Sequence, residues 1–370
     1  MRIADITFHG AHNYGSVLQA YALQTFIKKL CDDKGVECDY RIINYRSPFQ
    51  KELYGEAPAS NIKGKMKSLM ELPYRKLLRN QRGKFEDFLR EQLHLTEEIN
   101  TESGLAQFLD LFDVFVSGSD QIWNVRARDF SFAYLFENVE GKKISYAASL
   151  GPQNIDWSRY DKDRYVNALK QYVSLSVREE KSRQMVDELL GRNASQVHVD
   201  PTLLLPVEEW RSIQSEYNYN GGKYILFYCL EPDRTQLRIA DEFSRHFGLP
   251  IVITGYRNKR DYFNRFVKCY DAGPLDFLSL IDHASIVLTA SFHGTAFSII
   301  YNKPFFAING MRDNRIANIL KLSGLEKCSV DANTDISQLS FCQRDNVAIE
   351  NYINFERERS REYLIGAIGI

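Results

Sequence analysis

Short apolar runs alternate with amphipathic stretches along most of this chain. Apolar or alternating runs predict strands at 2–8, 41–45, 113–117, 143–149, 172–177 and 197–199, and again at 224–230, 250–254, 286–289 and 304–308. Apolar residues spaced three and four apart predict helices at 16–30, 180–190, 235–247, 275–284, 295–301 and 347–364. Because strands and helices alternate, the pattern predicts an α/β fold with largely parallel sheets.

Two segments interrupt this rhythm. Residues 47–100 contain three prolines and no clear strand, and residues 206–222 are polar with a Gly-Gly pair, as linkers often are. We therefore predict an N-terminal domain at 1–205, a C-terminal domain at 223–345 and a C-terminal helix at 346–370. Two such halves predict two facing α/β domains with a cleft between them.

Basic side chains are concentrated in the insertion near 47–100, between residues 63 and 84. They are interleaved with leucine and methionine, and they comprise Lys63, Lys65, Lys67, Arg75, Lys76, Arg79, Arg82 and Lys84. A basic amphipathic helix of this kind can lie on an anionic membrane or steer an anionic substrate. The alternative, which we prefer, is a solvated helical insertion.

Charge and composition narrow the class of protein. The 47 Lys and Arg residues nearly balance the 48 Asp and Glu residues, which argues against a strongly basic nucleic-acid binder. Hydrophobic residues make up 44% of the chain, enough for sizeable cores, but no apolar run reaches the roughly 18 residues of a membrane-spanning helix. The amino terminus lacks the apolar stretch of a signal peptide, and the six cysteines show no zinc-ligand spacing. We therefore expect a cytoplasmic protein with free thiols.

Candidate chemistry lies where the predicted strands end, because open parallel sheets bind ligands outside the carboxyl ends of their strands. After the first strand, Asn13, Gly15 and Ser16 lead into a helix, whose first N–H groups and dipole suit an anion. Ser16 is the predicted N-cap of that helix. The alternative is an ordinary tight turn.

Residues 117–124 follow a second buried strand. Asp120 in this segment can take a proton, and Trp123 can stack on the apolar face of a sugar ring, with Asn124 beside it. We therefore predict that Trp123 and Asn124 contact a sugar acceptor. The alternative is a helix N-cap followed by a core tryptophan.

Two arginines are candidates for binding an anion. Arg178 directly follows a strand and could clamp a carboxylate or phosphate, or else pair with one of the glutamates at 179 and 180. Arg315, with Arg312, follows the strand at 304–308 and could add a second positive clamp. The alternative, which we prefer for Arg312, is surface pairing with Asp313.

His293 is the main candidate for acid–base chemistry. It stands at a strand-to-helix junction among the small or polar residues Ser291, Gly294 and Thr295. Histidine titrates near neutrality, so it can serve as general acid or base, and the small residues could open an anion site beside it. Such surroundings disfavour a core-filling role.

No metal site is predicted. The other histidines have no ligand-like spacing, and although Asp161 and Asp163 match the DxD pattern of metal-dependent glycosyltransferases, they lie in a charged helical stretch and predict a solvated face. The cleft residues together suit transfer between a phosphorylated donor and a sugar.

Six segments, in this order, resemble the polysaccharide pyruvyl transferase family: NYGSVLQAYALQ, VSGSDQIWN, SYAASLG, SVREEKS, HVDPTLLL and LTASFHGTAFSIIYNKPF. They span about residues 13–310. The resemblance implies two Rossmann-like domains arranged as in the GT-B glycosyltransferases. It also implies transfer of pyruvate from phosphoenolpyruvate to two hydroxyls of a sugar, a hexose of a surface polysaccharide or its lipid-linked precursor, which gives a cyclic ketal and phosphate.

The resemblance further implies that Arg178 binds the donor and that His293 is the catalytic acid/base, and we expect Asp120 to assist in catalysis. The expected donor-binding set is completed by Asn13, Gly15, Ser16, Ser291, Gly294, Thr295 and Arg315. Characterised members carry an arginine two residues before this histidine, where this chain has Ser291. Either another arginine, such as Arg315, supplies that charge, or the donor differs.

Two other functions stay open at this point. One is a glycosyltransferase that uses a nucleotide sugar in the same cleft, and the other is a non-catalytic glycan- or anion-binding protein. For pyruvyl transfer we expect phosphoenolpyruvate as donor substrate, no cofactor, a sugar or lipid-linked oligosaccharide as acceptor and no nucleic-acid partner. The basic segment at 63–84 would then face the anionic inner surface of the membrane or a lipid diphosphate.

Overall fold

Strands and helices alternate along the computed structural model, which describes residues 1–53, 72–137, 139–219, 221–255, 264–339 and 345–370. The strands are β1 (Arg2–Ile6), β2 (Asp39–Ile42), β3 (Val114–Ser117), β4 (Lys142–Ser145), β5 (Tyr172–Val177), β6 (Ser195–Val197), β7 (Ile225–Tyr228), β8 (Ile251–Thr254), β9 (Val267–Lys268), β10 (Ile286–Thr289), β11 (Phe305–Ile308) and β12 (Ser329–Val330). The α-helices are α1 (Tyr14–Asp33), α2 (Pro48–Leu53), α3 (Arg75–Gln92), α4 (Lys162–Leu169), α5 (Glu180–Leu190), α6 (Val207–Ile213), α7 (Arg234–Phe247), α8 (Pro274–His283), α9 (Phe292–Ile300), α10 (Asn314–Leu322) and α11 (Asn346–Ile368).

The N-terminal sheet is parallel, with strand order β2-β1-β3-β4-β5-β6. Its inner strands are covered on both faces; every residue of β3 is buried, which explains the continuous apolar run there. The order of the strands reverses between β1 and β3. The loops that follow these two strands therefore flank a topological switch point, where ligands of such sheets bind.

The C-terminal sheet repeats this plan with strand order β12-β11-β10-β7-β8-β9, also parallel. Its switch point lies between β7 and β10, and α9 begins directly after β10. The two sheets form two Rossmann-like domains in the GT-B arrangement, so the predicted fold class is confirmed.

Aromatic contacts hold the two domains against each other. The ring of Tyr14, at the start of α1, stacks on Phe277 of α8 with a centroid distance of 4.6 Å, and its hydroxyl donates to the backbone oxygen of Ala272 at 2.7 Å. On its other side Tyr14 stacks on Phe85 of α3 at 5.4 Å. The position of α1 relative to the C-terminal domain is therefore set by packed side chains.

The last helix returns to the N-terminal domain. The Tyr363 hydroxyl of α11 donates to the backbone oxygen of Ser145 at 2.9 Å, and Lys142 donates to the backbone oxygen of Ile368 at the same distance. Arg357 donates to the backbone oxygens of Leu203 and Leu205. These bonds hold the C-terminal helix on the N-terminal domain.

Two helices begin more than one residue earlier than the sequence pattern predicts. The predicted N-cap at Ser16 is wrong, because α1 starts at Tyr14 and Asn13 caps it, its side-chain oxygen accepting from the Gly15 N–H at 3.0 Å. Asparagine caps helices at least as well as serine, so a competing cap three residues upstream shifted the boundary. Helix α9 starts at Phe292 rather than at 295, which puts His293 in its first turn.

The basic segment is described only in its second half. Lys63, Lys65 and Lys67 lie outside the described residues. Leu77 and Leu78 of α3 pack against the core of the C-terminal domain, and Lys84 pairs with Asp276 at 2.6 Å. The apolar side of this half therefore faces the protein.

Candidate active site

The loops of both switch points meet at the domain interface. The N-terminal domain contributes Asp120 after β3, Arg178 after β5 and Asp200 after β6, and the C-terminal domain contributes His293 from α9. His293 Nε2 lies 3.6 Å from Asp200 Oδ2, so this pair joins the two halves. The structure thus brings Asp120, Arg178 and His293 together, although each was selected from a separate motif.

Arg178 is the centre of a buried charge cluster. Its side chain is 2% exposed, and its Nη1 donates to Asp200 Oδ2 at 2.8 Å. Asp120 and Glu179 each place a carboxylate oxygen 3.7 Å from another guanidinium nitrogen, and the Phe292 ring centroid lies 4.8 Å from Cζ. Nε and Nη2 find no hydrogen-bond acceptor among the described residues. These two donors are therefore suited to an anionic oxygen.

The alternative that Arg178 pairs with a neighbouring glutamate holds in part. Glu179 Oε2 lies 3.7 Å from Arg178 Nε, whereas Glu180 pairs with Arg183. Burial alone would lower the pKa of Arg178, but the charges of Asp200 and the other carboxylates raise it above its ordinary value. The guanidinium is therefore charged at every pH that the protein meets.

Asp120 and Asp200 are held ionised in spite of their burial. Burial alone would raise the pKa of the Asp200 carboxyl, but the charges of His293 and Arg178 outweigh it and hold the pKa well below its ordinary value. The pKa of Asp120 is lowered against the same burial effect by Arg178 and then by His293, and its carboxylate also accepts from Ser16 Oγ at 2.7 Å. A carboxyl with a lowered pKa is a weak proton donor at neutral pH. Asp120 is therefore better placed to balance the charge of Arg178 than to protonate a substrate.

His293 packs directly against the start of α1. Its side chain is 8% exposed, and Nε2 has no hydrogen-bond partner among the described residues. A Cβ built on Gly15 would lie 2.0 Å from His293 Nδ1, so only glycine allows the imidazole this close to the helix. Gly294 likewise lets α9 approach Thr289. Gly15 thus serves the contact between the two domains, and Gly294 serves the packing of α9 within its own domain.

The N-termini of α1 and α9 both point into the interface. Asn13 caps α1 through the Gly15 N–H, whereas Ser291, at the N-cap of α9, makes no side-chain capping bond. Thr295 is buried and its hydroxyl donates back to the Ser291 carbonyl at 3.1 Å. The first turn of α9, which carries His293, is therefore the helix start better suited to an anion.

Trp123 is a core residue. It is 1% exposed, its Nε1 donates to the Tyr134 carbonyl at 3.2 Å, and its ring packs edge-on against Tyr172. The prediction that it stacks on a sugar is therefore wrong, and the alternative of a core tryptophan holds. Asn124 is partly exposed and donates to Gln121 Oε1 at 2.9 Å, so its contact with an acceptor stays a prediction.

The second arginine clamp is already engaged within its own loop. Arg315 donates from Nε and Nη2 to the carboxylate of Asp313 at 3.1 and 2.6 Å, which is the pairing that the sequence suggested for Arg312. Arg312 is exposed and lies 3.7 Å from Asp331. Arg315 nevertheless lines a cavity that Arg178 also lines.

The DxD pattern caps a helix. Asp161 Oδ1 accepts from the backbone N–H groups of Asp163 and Arg164 at the start of α4. Within the described ranges, no group of three or more His, Cys, Asp or Glu side chains is placed to hold a metal ion.

Asp200 was overlooked in the sequence. It follows β6 inside the HVDPTLLL segment, so the rule that selected Arg178 would also have found it. Thr202 holds it in place, because its N–H and hydroxyl donate to Asp200 Oδ1 at 3.0 and 2.8 Å. Ser149 of the SYAASLG segment similarly donates to Glu179, at 2.7 Å. The quoted motifs thus supply the supports of the charge cluster as well as its members.

A sequence model of the polysaccharide pyruvyl transferase family matches residues 13–310. The chain belongs to this family. The matched segment contains the whole charge cluster and His293, whereas α10 and α11 lie beyond it. A search of curated proteins found no match for this pyruvyl transferase family member.

Solved structures with the same fold include several UDP-N-acetylglucosamine 2-epimerases. That of Rickettsia bellii has a TM-score of 0.57 at 9% identity, covering 100% of this chain and 96% of the epimerase. That of Methanocaldococcus jannaschii, in complex with UDP-GlcNAc and UDP, has a TM-score of 0.53 at 13% identity, covering 100% and 99%. That of Neisseria meningitidis, bound to UDP-GlcNAc, has a TM-score of 0.52 at 12% identity, covering 97% and 99%. At such identities the likeness establishes the fold alone.

None of the described helices is long and apolar enough to cross a membrane.

Proposed function

We propose that this family member transfers the pyruvyl group of phosphoenolpyruvate to two hydroxyls of one sugar, forming a cyclic ketal and releasing phosphate. One observation carries the proposal: Arg178 and His293, from opposite domains, meet at the same oxygen of Asp200, and each has a buried nitrogen that makes no hydrogen bond to a described residue. A guanidinium beside an imidazole combines anion binding with proton transfer. Membership of the family supports the reaction class.

The donor would be bound through its two anionic groups. The fork of Arg178 suits an oxyanion held by two N–H groups, and the first turn of α9 suits a phosphate. A protonated His293 would add positive charge where the chain has Ser291 in place of the family's arginine. Asp120 would keep Arg178 in position through their 3.7 Å contact.

His293 would carry the protons. Its imidazolium would protonate the methylene carbon of the enol, which leaves the carbon bearing the phosphate electron-poor. A sugar hydroxyl adds to that carbon and returns its proton to His293, the phosphate leaves with the electrons of the C–O bond, and a second hydroxyl closes the ketal and gives its proton to the departing phosphate. Asp200, 3.6 Å from Nε2, would stabilise the imidazolium form.

The acceptor would be a hexose of a surface polysaccharide or its lipid-linked precursor, in the cytoplasm at the membrane face. Arg75, Lys76 and Arg79 of α3 are exposed and would meet anionic headgroups. Cosedimentation with anionic vesicles tests this location. The triple variant Arg75→Gln/Lys76→Gln/Arg79→Gln should bind less, and unchanged sedimentation would argue against the contact.

A nucleotide-sugar glycosyltransferase is the second candidate. The observation that favours it is the shared fold of epimerases solved with UDP-GlcNAc. It predicts a different ligand for the same cleft.

Thermal denaturation with added ligands separates the two candidates. A ligand at about 100 times its Kd adds roughly 2.7 kcal/mol of stability, which is easily measured. Pyruvyl transfer predicts a rise in Tm with phosphoenolpyruvate and none with UDP or UDP-sugars. The reverse pattern would replace the proposal with glycosyl transfer.

A matched pair of arginine variants makes this test specific. Arg178→Lys keeps the charge but loses the fork, so the shift with phosphoenolpyruvate should be lost. Arg183→Lys, on α5 and paired with Glu180 and Asp187, should keep it. Equal shifts in both variants would remove Arg178 from donor binding.

A further inference from the structure

A cavity of about 350 Å³ adjoins the charge cluster on the side of the C-terminal helix. Arg178, Asp200 and Phe292 form its inner end, and α10 and α11 form its outer walls, contributing among others Arg315 and Arg359. We call it the α10–α11 cavity. Its volume is at the lower end of the range of roughly 300–1,000 Å³ for small-molecule sites, which suits a single small ring better than a nucleotide sugar.

The arginines of the outer walls, Arg315 and Arg359, are each paired with a carboxylate. Arg359 Nη1 donates to both oxygens of Glu356 at 2.6 and 2.9 Å, and Arg315 is paired with Asp313. These walls therefore add no net positive charge for a donor such as phosphoenolpyruvate. A set of paired guanidinium and carboxylate groups instead offers donors and acceptors without net charge, which is what hydroxyl groups require.

Apart from Glu180, which is paired with Arg183, the remaining wall is uncharged or apolar. Burial, and then the charge of Arg359, lower the pKa of His198 to about 4, so this imidazole is neutral. Leu322, Tyr352 and the ring of Phe292 also line the cavity. Aromatic and aliphatic surfaces beside hydrogen-bonding groups are typical of sites for small polar ring compounds.

The position of the α10–α11 cavity connects it to the chemistry. Asp200 lines it and lies 3.6 Å from His293 Nε2, so a hydroxyl bound at the inner end would be close to the proton-transferring group. The outer walls lie beyond residue 310, outside the segment that the family model matches. The reaction and the choice of sugar would therefore be encoded in different parts of the chain.

We propose that the α10–α11 cavity is the acceptor subsite and binds one uncharged hexose, with α10 and α11 selecting which hexose. This inference rests on the proposed function. It also supplies the acceptor contact that Trp123 cannot make.

Saturation-transfer NMR of the full chain with a panel of methyl hexosides tests the subsite without donor or turnover. At least one hexoside should show transfer. In the double variant Glu356→Gln/Arg359→Met, which removes both partners of one pair and leaves no buried charge alone, the Kd of that hexoside should rise roughly tenfold. Arg361→Met, on the same helix but paired with Asp33, is the matched control and should bind normally. Asn318→Ala, a milder change in the wall, should weaken binding even if the double variant does not fold.

The outcomes separate the two proposals. Hexoside binding that these variants weaken, without any Tm shift from phosphoenolpyruvate, would retain the subsite and reject pyruvyl transfer. A phosphoenolpyruvate shift that disappears in Glu356→Gln/Arg359→Met would make the cavity a donor site and overturn the inference. Absence of transfer from every hexoside, or equal transfer in wall and control variants, would also overturn it.

Discussion

The two domain edges that face the cleft carry their charges differently. The N-terminal edge holds Arg178 with Asp120, Glu179 and Asp200, all nearly buried and arranged around one guanidinium. The C-terminal edge contributes the buried His293, in a turn with the small residues Ser291, Gly294 and Thr295. Each charge of the first edge depends on its neighbours, whereas His293 contacts this cluster through Asp200, which Arg178 also holds. A change in the N-terminal edge should therefore first affect folding, and a change at His293 should first affect chemistry.

His293→Gln should produce the largest effect on activity. It removes the imidazole and keeps a polar side chain of similar reach, so turnover should fall by roughly 10²–10⁴-fold, while the free energy of unfolding should change less than in variants of the Arg178 cluster. Phosphate release from phosphoenolpyruvate with the acceptor measures turnover. His283→Gln, in the same domain and bonded to Ser279, is the control. Near wild-type turnover in His293→Gln would remove this residue from the mechanism.

Asp200→Asn should instead have its main effect on the free energy of unfolding. The substitution keeps the shape but leaves the Arg178 charge without its 2.8 Å partner, and breaking one side of a buried pair costs about 3–5 kcal/mol. Urea denaturation should show this loss at pH 7. Asp313→Asn, at the less buried pair with Arg315, should lose much less. Equal losses would mean that the cluster is not held by its charges.

The pH dependence of this loss has a defined sign. The pKa of Asp200 is lowered in the folded state, so its stabilising effect is complete above the ordinary aspartate pKa of about 4 and is lost as the pH falls through the folded value. The difference in stability between wild type and Asp200→Asn should therefore shrink in acid. A constant difference at every pH would contradict the electrostatic explanation.

The strand ends were predictable because their pattern is local. The rule that ligands gather at carboxyl ends of parallel strands selected Arg178 and His293, and the apolar spacing placed the start of α1 within two residues, although the predicted N-cap was wrong. The Arg178–Asp200 pair was not predictable in the same way. It depends on β6 lying beside β5, and sheet order is a property of the whole domain.

Trp123 shows that the direction of a side chain is harder to predict from sequence than the position of a strand end. The segment SGSDQIWN is compatible with an indole directed at the cleft or at the core, because the direction depends on the turn that precedes it. Asp120 has a φ of 75°, a left-handed conformation that the residue types in this segment do not predict. The contact between Gly15 and His293 joins the two domains and could not be read from either motif.

Gly15→Ala tests whether the two edges must meet closely. A Cβ at this position would lie 2.0 Å from His293 Nδ1, so the imidazole has to move, and a displacement of about 1 Å can cost roughly 10²-fold in rate. Turnover should fall by about that factor. Gly83→Ala, on α3 with open space around it, is the matched control and should leave turnover unchanged.

A double-mutant cycle completes this test. Combined with His293→Ala, which removes the clashing ring, Gly15→Ala should cost less stability than it does alone. Additive losses of stability would show that the alanine acts on the helix backbone and not through His293.

Asp5→Asn compares the carboxylates around Arg178 with a buried carboxyl of the same sheet that is not paired with an arginine in the described structure. Asp5 is fully buried in β1, it has no ion-pair partner in the part of the chain that the structure describes, and burial raises its pKa to about 7. Between about pH 4 and about pH 7 the folded protein keeps a proton that the unfolded chain has lost, so this group lowers the free energy of unfolding by roughly 1.4 kcal/mol for each pH unit in that window. Asp5→Asn should therefore match wild type near pH 4 and be more stable above pH 7, by urea denaturation across this range. The exposed Asp110→Asn should show no such change of slope. If Asp5→Asn instead loses stability at pH 8, the buried carboxylate has a stabilising partner, and Arg178 is not what distinguishes the charge cluster from the rest of the domain.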